Sequence, residues 1–359
     1  MKPRIGVLTS GGDCPGLNAV LRGIVLAAEK LNLEVLGFLD GFEGLLPPGN
    51  FMVLDRRSTS GIMPRGGTMI GTTNRGHFVA KVGAAGEKAT IDPEIIESAR
   101  RVLQSLRVEA LIIIGGDGSM TTAQQLHEAG INCIGVPKTI DNDLAATAMT
   151  FGFDSAVAAV TDALDRLHTT ATSHKRVMVL EVMGRHAGWI ALHGGLAGGA
   201  HIILIPEIRF DYDKITEALH MRDVRGSIYS LVVVAEGACP ADGQVIVQPT
   251  ESGEHRHGGI GEVVAAELAA RTGKETRCTV LGHLQRGGTP TTLDRILGTR
   301  FGVKAVKMVA ERQFGSMVSY QNYQVQHVPI ADAVNRLRLV PADGEMVQTA
   351  RDVEISFGD

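Results

Sequence analysis

Between Leu111 and Asp143 one device occurs twice. Leu111–Ile114 is a short, largely β-branched apolar run, the pattern of a strand buried on both faces. It empties into Gly115-Gly116-Asp117-Gly118-Ser119, and a helical pattern follows from Met120 to Ala129. Ile131–Val136 is a second buried run, and it empties into Pro137-Lys138-Thr139-Ile140-Asp141-Asn142-Asp143. In an open α/β sheet the loops leaving the carboxyl ends of the strands form the ligand crevice. These two loops deliver three carboxylates (Asp117, Asp141, Asp143), one lysine, and backbone N–H groups that glycines leave uncovered. Such parts hold phosphates and a hard cation. On an extended segment Asp141 and Asp143, two apart, face the same side.

The remaining chain repeats the alternation. Arg4–Thr9 reads as a strand, Ser10–Asn18 as a glycine-rich turn, and the residues to about Leu31 as a helix. That turn either binds phosphate through its amides or merely needs glycine for its backbone. Neither GxGxxG nor GxxxxGK[ST] is present. Glu34–Leu39 is a strand and Asp92–Leu106 a helix. Between them lies a second glycine-rich loop, Arg65–Gly76, with arginines at both ends. After Asp143 the pattern predicts helices over Phe153–Thr172, from just after Trp189 to about Ala197, and over Tyr212–Val224, Gly258–Thr272 and Thr292–Arg312. Strands are predicted at Arg176–Val182, His201–Ile205, Ser230–Ala235 and Arg277–Leu281. The order predicts an α/β fold of two Rossmann-like lobes with mainly parallel sheets and the active site in the cleft between them. Arg176, Arg185, Glu236, Arg277, His283 and Arg286 lie at strand ends and read as one cluster facing the crevice, suited to a sugar phosphate. His255-Arg256-His257 lacks a helical metal-ligand spacing and reads as a surface loop. The last 30 or so residues are less patterned.

Composition narrows the class. A length of 359 residues suits one large or two ordinary domains. A net charge of −4 argues against a broadly basic nucleic-acid surface, and 4% aromatics against a base-stacking platform. No stretch resembles a membrane span or a secretory signal. Cys14, Cys133, Cys239 and Cys278 show no CxxC spacing and read as reduced thiols of a cytoplasmic protein.

Five segments occur in order: Gly6–Asn18 (GVLTSGGDCPGLN), Gly115–Ser119 (GGDGS), Pro137–Asp143 (PKTIDND), Glu181–Arg185 (EVMGR) and Gly282–Pro290 (GHLQRGGTP). With them, over roughly residues 4–310, the chain resembles the 6-phosphofructokinase family. GGDGS alone occurs in lipid and NAD kinases as well; TIDND, MGR and GHLQRGG together are far more specific. The resemblance implies transfer of a phosphoryl group to the 1-hydroxyl of fructose 6-phosphate in glycolysis, with Mg²⁺ as cofactor. It implies a larger nucleotide-binding lobe at 1–152 plus 285–335 and a smaller fructose-6-phosphate lobe at 153–284 plus 336–359. Carried over motif by motif, Asp141 is the general base, with Lys138, Thr139 and Arg185 beside it in catalysis. Asp117 and Asp143 hold Mg²⁺, directly or through water. Gly12, Phe42, Arg75, Gly116, Asp117, Gly118 and Ser119 line the nucleotide site. Thr139, Asp141, Met183, Gly184, Arg185, Glu236, His283 and Arg286 contact the sugar phosphate. Arg176 and Arg277 correspond to arginines that reach in from a neighbouring subunit, which implies a homo-oligomer, a tetramer or a dimer.

The donor determinants are mixed. After GGD, glycine goes with ATP in this family, and aspartate with pyrophosphate because it blocks the α-phosphate space; here the residue is Gly118. Before TIDND, glycine is usual in well-known bacterial ATP enzymes and lysine in pyrophosphate enzymes; here it is Lys138. Steric exclusion outweighs an assisting cation, so ATP is the expected donor. Pyrophosphate is the alternative, and a non-catalytic sugar-phosphate-binding paralogue is a third reading that the intact Asp117, Asp141 and Asp143 disfavour. The family's nucleotide-loop arginine falls at Asn74, with Arg75 next to it, and Phe42 replaces a common tyrosine. Arg22 and Arg56 match regulatory-site arginines, whereas Leu26, Ser227 and Ile228 depart from the basic pattern. Control by ADP and phosphoenolpyruvate is therefore not implied.

Overall fold

The computed structural model describes residues 2–78, 90–243, 247–249, 255–334 and 336–359, with the backbone alone for 247–249 and 255–257. In chain order the first elements are β1 (Arg4–Thr9), α1 (Leu17–Lys30), β2 (Glu34–Phe38), β3 (Phe51–Leu54), α2 (Pro93–Ser105), β4 (Val108–Gly115), α3 (Asp117–Glu128) and β5 (Cys133–Pro137). Then come α4 (Phe153–His174), β6 (Val177–Val182), α5 (Trp189–Ala197), β7 (Ile202–Leu204), α6 (Tyr212–Val224), β8 (Ser230–Ala235), β9 (Val247–Pro249), β10 (His255–His257) and α7 (Ile260–Thr272). The chain ends with β11 (Thr276–Val280), α8 (Thr292–Ala310), β12 (Ser316–Gln321), β13 (Gln324–Pro329), α9 (Ile330–Ala333) and α10 (Glu345–Asp352). Single 3₁₀ turns lie at Gly41–Leu45 and Gly282–Arg286.

The contacts divide the chain into two compact units. The first, residues 1–140, 144–155 and 286–337, holds a seven-stranded sheet in the order β13-β12-β5-β4-β1-β2-β3. Its β5, β4, β1 and β2 run parallel, with Ile112 opposite Ile134 and Val7 opposite Ile112. The most apolar strand, β4, is central, and its last six residues are buried, as expected when helices cover both faces. Helix α2 starts where the sequence dictates: Asp92 caps it by accepting the Glu94 N–H at 2.8 Å, and Pro93 follows at the first helical position. The second unit, residues 141–143, 156–285 and 338–359, holds a parallel four-stranded sheet in the order β11-β6-β8-β7. Its core is built on Val177, Val179, Val232 and Val234 of the sheet and Ile260, Val264 and Leu268 of α7.

Four features depart from the sequence expectation. Strand β3 lies within what reads as loop, paired antiparallel with β2. A hairpin, β12–β13, extends the first sheet, and β13 (QVQHVP) is mostly exposed, so no apolar run marks it. The backbone of His255–His257 is a strand paired with β9, not a loop. The weakly patterned tail contains α10, whose Val347 and Ala350 are buried. Among the described residues no helix is long and apolar enough to cross a membrane.

Candidate active site

In the first unit the strand-end loops are braced by backbone hydrogen bonds. The Ser10 N–H donates to Ile114 O at 2.9 Å and the Gly11 N–H to Thr73 O at 3.0 Å. The Lys138 N–H donates to Gly115 O at 2.9 Å, so the loop after β5 is anchored to the end of β4. These loops and the 3₁₀ turn surround a cavity of about 250 Å³. All the predicted nucleotide residues line it: Gly12, Phe42, Arg75, Gly116, Asp117, Gly118 and Ser119. Lys138 and Thr139 line it too, and so does Arg286, which the resemblance assigned to the sugar phosphate.

The cavity is lined by Arg75, Lys138 and Arg286 as well as by aromatic rings that form its apolar end. Helix α3 begins at Asp117 with no side-chain cap, and the positive end of its dipole favours an anion there. Lys138 is 4% exposed and donates from Nζ to Gly12 O at 2.5 Å. Arg286 Nη1 donates to Asp13 O at 3.2 Å, and a Cβ on Gly12 would come within 2.7 Å of that nitrogen. Glycine at 12 is what lets the arginine approach. A Cβ on Gly118, by contrast, would meet no atom within 4 Å. At the apolar end Phe42 stacks on Phe78, centroids 5.5 Å apart and planes 24° inclined. Phe78, Glu43 and Thr122 also line the cavity and were not read from the sequence. They arrive from a loop and a helix face with no motif, and only the adjacency of Glu43 to Phe42 hinted at one. Glu43 is engaged by His77, whose N–H donates at 2.7 Å and whose Nδ1 lies 2.8 Å from the other oxygen.

The Asp141–Asp143 loop is not extended. Asn142 is left-handed, at φ 51, and 3% exposed. Strand alternation therefore does not set the directions of Asp141 and Asp143, which corrects the reading above. Both are half-buried.

In the second unit the carboxyl edge of the sheet gathers Met183, Gly184, Arg185, Glu236 and His283. The Glu236 N–H donates to Val182 O at 2.8 Å and the Gly237 N–H to Gly184 O at 3.1 Å, so the two loops run in contact. A Cβ on Gly237 would lie 2.1 Å from Arg185 O, so this approach requires glycine. Gln285, 1% exposed, accepts the Met183 N–H at 3.2 Å and donates to Gly282 O, fixing the turn that carries His283. Arg185 and His283 are exposed. Burial and the neighbouring Arg185 hold His186 below its ordinary pKa. Glu181 of the EVMGR motif is structural: it accepts the Gly259 and Gly261 N–H groups at the start of α7.

Arg176 and Arg277 do not join this edge. β6 and β11 are parallel, with Val177 opposite Thr276, so both arginines lie at the amino edge. Six residues of β6 separate the two edges, roughly 20 Å at about 3.3 Å per residue. Both arginines pair with Glu275, at 2.8 and 2.7 Å. The six strand-end groups therefore do not converge on one crevice within a chain, because parallel strands put residue ends of opposite sense on opposite edges. Of the regulatory-type arginines, Arg56 pairs with Glu29 at 2.8 Å.

Residues 4–309 match the family model described as phosphofructokinase. An ATP-dependent 6-phosphofructokinase of Chloroflexus aggregans is 51% identical over 358 residues, covering 100% of this chain and 98% of that protein. A pyrophosphate–fructose 6-phosphate 1-phosphotransferase of Streptomyces coelicolor is 48% identical, covering 94% of this chain and 96% of that protein. The phosphofructokinase structure from Saccharomyces cerevisiae superposes with a TM-score of 0.80 at 31% identity; it covers 92% of this chain, which spans 45% of that one. With the family model matched over residues 4–309 and a relative 51% identical along its whole length, this chain belongs to the phosphofructokinase family.

Proposed function

We propose that this phosphofructokinase takes ATP as donor, moving its γ-phosphoryl group to the 1-hydroxyl of fructose 6-phosphate to give fructose 1,6-bisphosphate and ADP. The open space at Gly118 carries this reading: a Cβ there would meet no atom within 4 Å, and the family's aspartate, which would fill the α-phosphate space, is missing. The stacked Phe42–Phe78 wall supports it, being an apolar surface of use to a base and of none to pyrophosphate. Lys138 favours the pyrophosphate reading, as does the Streptomyces relative, but its ammonium holds the Gly12 carbonyl and suits either donor.

Asp141 accepts the 1-hydroxyl proton as that oxygen attacks the phosphorus. Lys138 and the α3 amides offset charge on the moving phosphoryl oxygens, and Thr139 contacts the same group. Met183, Gly184, Arg185, Glu236, His283 and Arg286 hold the sugar phosphate. Asp117 and Asp143 suit Mg²⁺, since both offer hard carboxylate oxygens. Among the described residues no group of three or more His, Cys, Asp or Glu is gathered for a metal. When bound, the ion neutralises phosphate oxygens. The first unit serves the nucleotide and the second the sugar phosphate. Arg176 and Arg277, at the far edge, complete the site of another copy, which makes the enzyme a cytoplasmic homo-oligomer, a tetramer or a dimer.

Steady-state turnover with fructose 6-phosphate and Mg²⁺, run in parallel with ATP and pyrophosphate, tests the donor. Turnover with ATP alone is expected; turnover with pyrophosphate alone means Lys138 decides. Asp141→Ser is expected to lower kcat by about 10²–10⁴-fold, the usual worth of a general base. Near-normal turnover in that variant removes Asp141 from the role.

A further inference from the structure

The chain beyond Leu337 carries none of the family motifs, yet it grips the loop that does. The Arg338 N–H donates to Asp143 O at 2.7 Å, and its Nη1 donates to Asn142 O at 3.2 Å. The same guanidinium lies 4.3 Å over the Trp189 ring. Trp189 closes the circuit, donating from Nε1 to the carbonyl oxygen of Arg338 at 2.8 Å. Glu207 ties the two strands of this assembly together. It accepts the Val340 N–H at 2.8 Å and the Gly188 N–H at 3.0 Å, just before Trp189 opens α5.

What the assembly grips is a tight turn. Asn142 is a non-glycine residue held left-handed and buried between two carboxylates of the reaction. Asparagine tolerates this region better than most residues, so the residue permits the turn and its surroundings fix its aim. Arg338 has the shape to do so: a planar fork with one edge on a carbonyl and one face on an aromatic ring.

We infer that Arg338, seated on Trp189, is a positioning residue that holds Asn142 in its turn and thereby aims Asp141 and Asp143. The inference rests on the role of Asp141 proposed above. A merely structural anchor for the tail would hold the fold without favouring turnover over binding. A positioning clamp acts on turnover, because a displacement of about 1 Å at a reacting group costs about 10²-fold.

The test uses the full chain. Wild-type turnover comes first; its absence with both donors overturns the assigned activity, and the clamp with it. With an active wild type, Arg338→Met is expected to lower kcat by about 10–100-fold while both Michaelis constants stay within about threefold. Arg338→Lys, whose ammonium cannot span the carbonyl and the ring together, is expected to fall between the two. A kcat within about twofold of wild type overturns the clamp alone, as does a loss confined to the Michaelis constants. If Arg338→Met fails to fold, Arg338→Lys and Trp189→Phe decide. A kcat loss at unchanged Michaelis constants in either supports the clamp, and wild-type kcat in both overturns it.

Discussion

The ammonium of Lys138 donates to the carbonyl oxygen of Gly12 at 2.5 Å, tying the loop after β5 to the loop after β1 across the end of β4. The lysine is thus part of the cavity's frame as well as a charge beside its contents. Lys138→Met keeps most of the stem and deletes the charge, leaving a carbonyl without a charged donor, a loss of about 1.5–3 kcal/mol. We expect kcat/KM for ATP to fall about 10–100-fold with a lower melting temperature. Kinetics and a thermal melt check this together; unchanged values in both would remove Lys138 from frame and chemistry alike.

Gly118 is the second residue of α3, a position that tolerates and even favours a carboxylate through the helix dipole. Gly118→Asp is therefore expected to leave the melting temperature intact. Its side chain enters the open space, and its charge repels the donor. Turnover with ATP should fall by more than about 10²-fold, and any turnover with pyrophosphate should fall less. Equal losses with both donors would show that the carboxylate acts through charge and not through occupied space.

Arg176 and Arg277 share Glu275 at the edge remote from Glu236 and His283. Arg277→Ala is expected to raise the Michaelis constant for fructose 6-phosphate about 10-fold or more, the loss of a charge-assisted contact. Asp141→Ser subunits are expected to be nearly inactive. If a site draws on two copies, hybrids of the two variants regain some sites with every residue intact. Activity of co-expressed variants above the sum of the separate preparations checks this; mere addition would place Arg277 outside the shared site.

Asp294 is buried, and burial pushes its carboxyl up to about 6, with Ser155 N–H and Oγ donors at 2.8 and 2.6 Å offsetting part of the cost. Its folded pKa is above its unfolded value, so between about 4 and about 6 the folded state binds more protons. Stability then decreases as pH rises through that window. Asp294→Asn removes this dependence and keeps an acceptor for Ser155. At pH 7.5 we expect the variant to be more stable than wild type by on the order of 2–3 kcal/mol, with the gap closing below about pH 4. Denaturant melts at the two pH values check it, and a gap that widens in acid would refute the sign.

Much of the site was legible before folding because its parts are contiguous. The GGDGS and PKTIDND loops each follow a buried apolar run, and all seven nucleotide residues read from the resemblance line one cavity. The misses have a common cause. Phe78 and Thr122 meet the cavity through contacts that leave no local pattern, and β13 is too polar and exposed to announce a strand. Asp141 and Asp143 fit an alternating segment until Asn142 turned left-handed; asparagine between two aspartates is a turn signal that the extended reading passed over.

Periodicity and motif order determined the α/β class, the parallel strands and the family, because a strand's burial and a phosphate loop's glycines are written within a few residues of each other. Only the tertiary structure decided which edge each arginine occupies, that Arg286 lines the cavity of the first unit, and that Arg338 grips a loop 196 positions away. Those outcomes depend on strand direction and on contacts between segments far apart in the chain, and nothing short-range in the sequence encodes them.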